Sequence, residues 1–77
     1  MKIKVIVTLK AGVLDPQGKA IQQTLRSMNF DNVGDVRQGK FFEIEVKESD
    51  ENRAKLLVDD MCKKLLANLV IEDYKII

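Results

Sequence analysis

The chain has 77 residues, 13 lysines and arginines against 12 aspartates and glutamates, no histidine and one cysteine. A single cysteine cannot form an intrachain disulfide, and a zinc site without histidine would need an unusual set of ligands. The net charge of +1 lacks the basic excess on which nucleic-acid binders depend. Since one core of this size supplies only about 3 to 5 kcal/mol, we expect oligomerisation to support the fold.

Residues 1–77 are expected to form one domain, because no shift in composition marks a boundary. The first residues are basic but alternate in polarity, unlike a signal peptide, and no apolar run approaches the ~20 residues of a membrane span. The lone thiol suits a reducing compartment. We therefore expect a cytoplasmic protein that does not bind a membrane.

The first predicted element is a strand over residues 2–10, in which apolar and polar side chains alternate. Ile6 is an apolar exception on the polar face, so the side turned away from the core is not purely solvated. The residues expected to face the core are Ile3, Val5, Val7 and Leu9.

A helix is predicted to begin after Asp15, whose carboxylate can cap free amide groups, with Pro16 in the first turn. Asn29 is a suitable left-handed stop. The apolar stripe that is expected to face the core consists of Ile21, Leu25 and Met28.

Residues 30–40 hold scattered valines among asparagine, aspartate and glycine, which predicts a short, irregular strand at an edge or with a bulge. Gln38, Gly39 and Lys40 supply a tight turn. From Phe41 the alternation is regular and predicts a strand, with Phe41 itself on the polar face. The inward residues of that strand are predicted to be Phe42, Ile44 and Val46.

The second helix is predicted to follow a cap in residues 48–50 and to end at Asn68. Residues 70–77 are rich in β-formers and predict a last strand. The inner stripe of this helix is predicted to consist of Ala54, Leu57, Val58, Met61 and Leu65.

The predicted order, β-α-β-β-α-β, is that of an α+β fold of the ferredoxin-like, split βαβ type. We expect a four-stranded, antiparallel-type sheet with the first and third strands in the centre and both helices on one face. The other face should carry Ile6, Thr8 and Phe41 beside Glu43 and Glu45. A partly apolar, uncovered sheet face is a natural interface.

No residue pattern in the chain predicts an active site. Histidine is absent, and Cys62, the one strong nucleophile, is better explained as a small helix residue. The glycines match neither a phosphate-binding loop nor a dinucleotide fingerprint. These observations favour a protein that works by contacting other proteins, and we assign no catalytic, cofactor-binding or metal-binding residue.

Four ordered segments carry a family resemblance: residues 7–10, residues 12–20, residues 36–40, and residues 61–68 with residues 70–74. Together they resemble the PurS subunit family of phosphoribosylformylglycinamidine (FGAM) synthase, and the similarity runs from end to end. One departure is Leu69, where the family usually has proline after the Ala67-Asn68 pair. Proline would fix the backbone there, so we expect a looser or differently packed turn.

The resemblance implies a role in the fourth step of purine biosynthesis, in which formylglycinamide ribonucleotide, glutamine, ATP and water give FGAM, glutamate, ADP and phosphate. In the family, a PurQ glutaminase releases ammonia, a PurL synthetase uses ATP and Mg, and PurS bridges the two. The chain is therefore expected to bind no cofactor itself, to bind both larger subunits, and to form a homo-oligomer, dimer or tetramer. Whether it also aids ammonia transfer stays open.

The residues suggest two sets of contacts. The partner-binding set consists of Leu14, Asp15, Pro16, Gln17, Gly18, Arg37, Gly39, Lys40, Leu65, Leu66, Ala67 and Asn68. The self-association set consists of Ile6, Thr8 and Phe41. Two other functions stay open at this point: a regulatory, amino-acid-binding module of the ACT type, which shares this element order, and a nucleic-acid binder.

Overall fold

The computed structural model describes all residues, 1–77. The elements are strand β1 (Lys2–Leu9), helix α1 (Pro16–Ser27), strand β2 (Gly39–Glu45), helix α2 (Glu51–Met61), a π-helical turn (Cys62–Leu66) and strand β3 (Glu72–Ile76). The α+β class is confirmed, with one strand fewer than predicted. Neither helix has both the length and the apolar character that crossing a bilayer requires.

The three strands form one antiparallel sheet in the order β2-β1-β3. β1 is central, as predicted. β2 corresponds to the predicted third strand and is an edge strand, because no strand pairs with its outer side. The register places Ile6 opposite Phe41 and Val7 opposite Tyr74, so the alternation in β1 sets which side chains share a face.

The fourth strand, predicted over residues 30–40, is not formed, and β2 begins only at Gly39. The segment before it hydrogen-bonds to α1 instead. Gln22 Nε2 donates to the carbonyl oxygen of Gly34 at 2.9 Å, and Arg26 donates from Nε and Nη2 to that of Val33. We call residues 33–38 the strap, because they lie along α1, and residues 16–38 the arm.

The start of α1 confirms the sequence prediction. Asp15 Oδ1 accepts a hydrogen bond from the backbone nitrogen of Gly18 at 2.8 Å, and Pro16 is the first helical residue. After the helix, Asn29 has a φ of 73°. Asparagine tolerates this left-handed conformation well, which explains why the helix ends here.

The apolar stripe predicted for α1 is not buried in the chain: Ile21 is 40% and Met28 is 60% exposed. The buried residues of the helix are Gly18 and Gln22, on the face that the strap covers. A Cβ atom on Gly18 would lie 2.1 Å from the carbonyl oxygen of Val36, so only glycine permits this approach. The strap therefore packs on the polar face of α1 and leaves its apolar face uncovered.

The core lies between β1 and α2, and it is small. In β1 the inward positions are buried as predicted, except that Leu9 is only half-buried. The buried apolar residues are Ile3, Val5, Val7, Val46, Ala54, Val58, Cys62 and Ala67. Phe42 and Ile44 of β2 are partly buried against this cluster.

The buried stripe of α2 is narrower than predicted. Ala54 and Val58 are fully buried, whereas Leu57 and Met61 are 48% and 38% exposed. The third buried residue is Cys62, which continues the spacing of four residues into the π-helical turn. The prediction was wrong at the edges of the stripe because only one line of the helix faces β1 and β3.

The arm stands apart from the remainder of the molecule, the sheet body (residues 1–9 and 39–77). α2 packs on β1 and β3, whereas α1 makes no substantial contact with any strand. The molecule measures 49 × 23 × 14 Å and has a radius of gyration of 15.9 Å. A compact domain of this length would have a radius of gyration of about 11.5 Å. The single chain is therefore elongated.

Candidate subunit-contact surfaces

Two of the three predicted partner-binding segments meet at the root of the arm, where α1 begins and the strap returns to the sheet. The backbone nitrogen of Gln38 donates to Asp15 Oδ2 at 2.7 Å, and its side-chain Nε2 donates to Gln17 Oε1 at 2.6 Å. Residues 14–18 and 37–40 therefore form one continuous surface.

Asp15 holds this root together. Its two carboxylate oxygens accept hydrogen bonds from the backbone amides of Gln38 and Gly18, and the residue is only 6% exposed. The bond from Gln38, followed by that from Gly18, lowers the pKa of Asp15, because both bonds stabilise the ionised carboxylate. Asp15 thus shapes the surface from beneath.

Arg37 ties the loop between β1 and α1 to the strap. Its Nη1 donates to the carbonyl oxygen of Val13 at 2.9 Å, and its Nη2 donates to that of Lys10 at 3.1 Å. The residue is exposed and keeps further N–H donors for other bonds. Arg37 can therefore brace the loop and contact a partner at the same time.

The third predicted segment, residues 65–68, joins the other two through Glu72, which the sequence analysis did not select. Glu72 Oε1 accepts from the backbone nitrogen of Asn68 at 2.7 Å, and its Oε2 lies 3.7 Å from Lys40 Nζ. The Glu72 side chain is 12% exposed. The sequence carries one signal for Glu72, which is its position in β3. It alternates in phase with Tyr74, so its carboxylate lies on the core side of the sheet, at the first residue of the strand.

A cleft of about 360 Å³ lies where β1, β3 and the first two partner-binding segments meet. It holds no group of three or more acidic or cysteine side chains that could bind a metal ion. The amides of Gln17 and Gln38 and the ammonium of Lys40 keep free hydrogen-bonding capacity, so the cleft can bind polar groups of a partner. Its lining residues are Val7, Leu9, Asp15, Pro16, Gln17, Gln38, Gly39, Lys40 and Glu72.

The predicted partner-binding residues divide into those that shape the backbone and those that face solvent. Gly39 allows β2 to approach β1, since a Cβ atom there would lie 2.5 Å from the carbonyl oxygen of Val7. Ala67 is 7% exposed and belongs to the core. The predicted residues that face solvent are Leu14, Pro16, Gln17, Arg37, Lys40, Leu65 and Asn68, while Leu66 is half-buried.

An exposed apolar corner follows the π-helical turn. Leu65 is 84%, Leu69 48% and Val70 83% exposed. Asn68 fixes the turn, because its Oδ1 accepts from the nitrogen of Val70 at 3.1 Å and its carbonyl oxygen accepts from that of Ile71 at 3.1 Å. The turn that contains Leu69 is therefore held by hydrogen bonds to Asn68 on its other residues.

A second polar cluster pins the end of α2 to β3. The Tyr74 hydroxyl donates to Asp59 Oδ1 at 2.5 Å, and Lys63 Nζ lies 3.0 Å from Asp59 Oδ2. These bonds are the main cause that lowers the pKa of Asp59 and raises the pKa of Tyr74 and Lys63. Burial raises the pKa of the nearby Cys62 thiol, so Cys62 is an unreactive core residue.

The predicted self-association residues share the uncovered face of the sheet. Ile6 lies opposite Phe41, and the two residues are 37% and 56% exposed. Thr8 is the next residue of β1 on this face and is also exposed. Charged pairs flank this centre, such as Lys4 opposite Glu43. The face thus has an apolar centre with a basic row on β1 and an acidic row on β2.

Together, the small core, the elongated shape and these surfaces define a class of protein: a small α+β subunit that is built to contact other chains.

Comparison with known proteins identifies the family. The family model for PurS, described as phosphoribosylformylglycinamidine (FGAM) synthase, matches residues 2–77. The PurS subunit from Bacillus subtilis is 54% identical over 74 residues, which cover 96% of this chain and 87% of that protein. The crystal structure of PurS from Methanocaldococcus jannaschii, a subunit of formylglycinamide ribonucleotide amidotransferase, has a TM-score of 0.88 at 47% identity and covers 99% of this chain and 92% of its own. The chain belongs to the PurS family.

The solved structure of PurLQS from Thermotoga maritima also contains a similar chain. That chain has a TM-score of 0.86 at 30% identity, and the superposition covers 100% of this chain and 96% of the other. The similarity therefore extends to a chain of the PurLQS structure.

Proposed function

We propose that this chain is the small, non-catalytic subunit of FGAM synthase and that it bridges a PurL-type synthetase and a PurQ-type glutaminase. The observation that carries the proposal is its superposition on a chain of the PurLQS complex, which covers 100% of this chain at a TM-score of 0.86. The superposition includes the arm, the sheet body and all three predicted partner-binding segments.

In this role the reacting groups belong to the partners. The PurQ-type subunit releases ammonia from glutamine, and the PurL-type subunit uses ATP and Mg to activate the amide of formylglycinamide ribonucleotide. The cleft of this chain fits that division of labour, because its amides and the Lys40 ammonium can bind polar groups of a partner. As the family resemblance implies, we expect the chain itself to bind no cofactor.

The surface for the larger subunits consists of the three segments at the arm's root and the adjacent corner. Asp15 and Arg37 fix the backbone of this surface from within the chain. A surface that is already ordered loses little conformational entropy on binding. The side chains proposed to contact the larger subunits are Leu14, Pro16, Gln17, Arg37, Lys40, Leu65, Leu66 and Asn68.

The uncovered sheet face makes a contact between copies of the chain, in a homodimer or a tetramer. Ile6 and Phe41 form its apolar centre with Thr8 beside them, and a two-fold axis would set the basic row of β1 against the acidic row of β2. Phe41→Glu should halve the mass measured by sedimentation, whereas Gln23→Glu, on an exposed face of α1, should not. An unchanged mass for Phe41→Glu would exclude this contact.

Location and alternatives follow the same function. We place the complex in the cytoplasm, which suits the free, buried thiol of Cys62. The family match over residues 2–77 favours a synthase subunit over an amino-acid-binding regulatory module. The balanced charge, +1 overall, likewise gives no support to nucleic-acid binding.

Reconstitution tests the proposed function. The purified chain is mixed with PurL-type and PurQ-type subunits, and FGAM formation is followed with glutamine or with an ammonium salt as the nitrogen source. Glutamine-dependent synthesis should require the chain. The ammonium reaction is the control, because it bypasses the glutaminase and shows that the synthetase is active. Equal glutamine-dependent rates with and without the chain would contradict the proposal.

A combined variant tests the docking surface. Gln17→Ala, Lys40→Glu and Leu65→Asp together change one exposed side chain in each of the three segments, and we expect this variant to lose complex assembly in gel filtration. Gln23→Ala, outside the surface, is the matched control. Assembly of the combined variant at wild-type concentrations would show that the larger subunits bind elsewhere.

A further inference from the structure

Glu72 places a carboxylate on the core side of the sheet, where an apolar residue would be expected. It begins β3, pairs with Leu9 of β1 and lines the cleft, and its side chain is only 12% exposed. A glutamate that is largely withdrawn from water requires hydrogen bonds or an opposite charge, because burial deprives the carboxylate of its hydration. The partners of Glu72 therefore indicate its role.

Two reciprocal hydrogen bonds join Glu72 to Asn68. Glu72 Oε1 accepts from the backbone nitrogen of Asn68 at 2.7 Å, and the backbone nitrogen of Glu72 donates to the carbonyl oxygen of Asn68, also at 2.7 Å. These bonds close residues 69–71 into a short loop, which carries the exposed Leu69 and Val70. The side chain of Glu72 thus fixes the apolar corner to the start of β3.

The other carboxylate oxygen of Glu72 faces Lys40 of β2. The distance from Glu72 Oε2 to Lys40 Nζ is 3.7 Å, and the pair extends across β1, since Lys40 lies opposite Val7 and Glu72 lies opposite Leu9. The Lys40 side chain is 61% exposed, so its ammonium keeps donors for a partner. A partly exposed ion pair adds little stability. The main effect of this pair is to hold the ammonium at the cleft.

From these contacts we infer that Glu72 is a positioning residue for the docking of the larger subunits. It acts through Asn68 and Lys40 and holds the apolar corner and the cleft in one arrangement across the three strands. The partner surface that fits is apolar opposite Leu65 and Val70 and carries carboxylate or carbonyl oxygens opposite Lys40. Ordering both parts in advance lowers the entropic cost of binding. The inference rests on the proposed function and deepens it.

Titration of the chain into a mixture of PurL-type and PurQ-type subunits tests the inference. The half-saturating concentration of the chain and the maximal rate of glutamine-dependent FGAM synthesis are measured separately. Glu72→Ala removes both side-chain contacts and should raise the half-saturating concentration about ten-fold or more, as for other lost hydrogen bonds to a charged group. Glu72→Gln keeps an acceptor for Asn68 and loses only the attraction to Lys40, so the rise should be about three-fold. Neither variant should change the maximal rate.

Glu51→Ala and Glu51→Gln are the matched controls. Glu51 is also paired with a lysine, at 3.1 Å from Lys55 Nζ, but it lies in the first turn of α2, outside the docking surface. If Glu72→Ala titrates as Glu51→Ala does, or lowers the maximal rate at an unchanged half-saturating concentration, the inference is overturned. Circular dichroism shows whether each variant is folded. If Glu72→Ala is not folded, Glu72→Gln decides, and a half-saturating concentration equal to that of Glu51→Gln overturns the inference.

A failure of the proposed function is distinguishable from a failure of the inference. Glutamine-dependent synthesis that does not require even the wild-type chain would contradict the proposed function, and the inference with it. A requirement for the wild-type chain, with Glu72 variants that behave as the Glu51 controls, would contradict the inference alone.

Amide hydrogen exchange measures the positioning in the chain by itself. Exchange of the backbone amide of Asn68, followed by NMR, should be about ten-fold faster or more in Glu72→Ala than in wild type or Glu72→Gln, because only Glu72→Ala leaves this amide without its acceptor. The amide of Gly18, which is bonded to Asp15, should exchange equally in all three and serves as the internal control. Equal exchange at Asn68 in Glu72→Ala and wild type would show that Glu72 does not hold the corner, and would overturn the inference.

Discussion

The sheet body and the arm each contain one amphipathic helix, but the two helices are packed in opposite ways. In the body, Ala54 and Val58 of α2 are fully buried against β1 and β3. In the arm, Ile21 and Met28 of α1 are exposed while the polar face carries the strap. The difference shows that an apolar stripe marks the face of a helix that is suited to burial, but does not show whether the chain itself buries it.

The largest difference in stability between the two regions is expected when a charge is placed in each of them. Val5 is 0% exposed in the central strand, and an unpaired carboxylate there should cost more than about 4 kcal/mol. Val5→Asp should therefore unfold the chain, because a core of this size supplies no larger reserve. Ile21→Asp in the arm should leave the sheet body folded. Circular dichroism in urea measures both.

Ile6→Asp is the control for Val5→Asp, since it changes the neighbouring residue on the opposite, exposed face of the same strand. If Val5→Asp unfolds in urea as cooperatively as Ile6→Asp and at a similar midpoint, then the buried side of β1 does not determine the stability of the sheet body.

Local patterns predicted the body well because its contacts follow from them. The alternation in β1 identified Ile3, Val5 and Val7 as core residues, and the cap pattern at Asp15 identified the start of α1. The strap was missed because it depends on long side chains, Gln22 and Arg26, that reach carbonyl oxygens seven to twelve residues away. Neither residue differs in sequence from an ordinary solvated helix residue.

The contact surface shows the same limit. Asp15 and Gly18 were selected from local motifs, and the structure explains both through a cap and a close backbone approach. Glu72 was missed, although it connects Asn68 to Lys40. That role depends on the pairing of β1 with β3, which brings distant parts of the chain together. No spacing in the sequence reports such a contact.

A glycine pair in the arm gives the next largest effect. Gly18→Ala places a Cβ atom 2.1 Å from the carbonyl oxygen of Val36, so the strap must move away from α1. We expect a loss of about 1 to 3 kcal/mol, as for other overpacked sites. Gly34→Ala is the control, because no atom lies within 4 Å of the new methyl group. Urea denaturation of the two variants measures the difference.

If Gly18→Ala and Gly34→Ala have the same free energy of unfolding, the close contact of the strap with α1 at Gly18 does not contribute to stability. Another contact would then have to hold the strap on the helix.

The root of the arm has its own pH dependence, because it contains Asp15. The pKa of Asp15 is lowered from its usual 3.8 in the fold, chiefly by the amide of Gln38. Its stabilisation is therefore present above the unfolded pKa and is lost as the pH falls below 3.8 through the folded pKa. Asp15→Asn should be less stable at pH 7 and should lose less stability on acidification.

The measurement is the urea midpoint at several pH values between neutral and strongly acidic. Asp31→Asn serves as the control, because Asp31 is exposed and its side chain accepts no hydrogen bond. The lowered pKa of Asp59 remains in every variant, so part of the acid loss should persist. An acid loss in Asp15→Asn as steep as that in wild type would rule out Asp15 as its source at the root.

The smallest effect on stability is expected at the apolar corner of the sheet body, where this chain has Leu69 and the family usually has proline. The amide nitrogen of Leu69 donates no hydrogen bond, and Asn68 already fixes the turn through Val70 and Ile71. Leu69→Pro should therefore remove no bond and should stabilise the chain by about 0.4 to 1 kcal/mol, because it restricts the unfolded chain. Val70→Pro is the matched control. It removes the amide N–H that donates to Asn68 Oδ1, so it should destabilise the chain. Destabilisation by Leu69→Pro in thermal unfolding would mean that this turn has a backbone conformation that proline cannot adopt, and that leucine here belongs to a differently shaped corner.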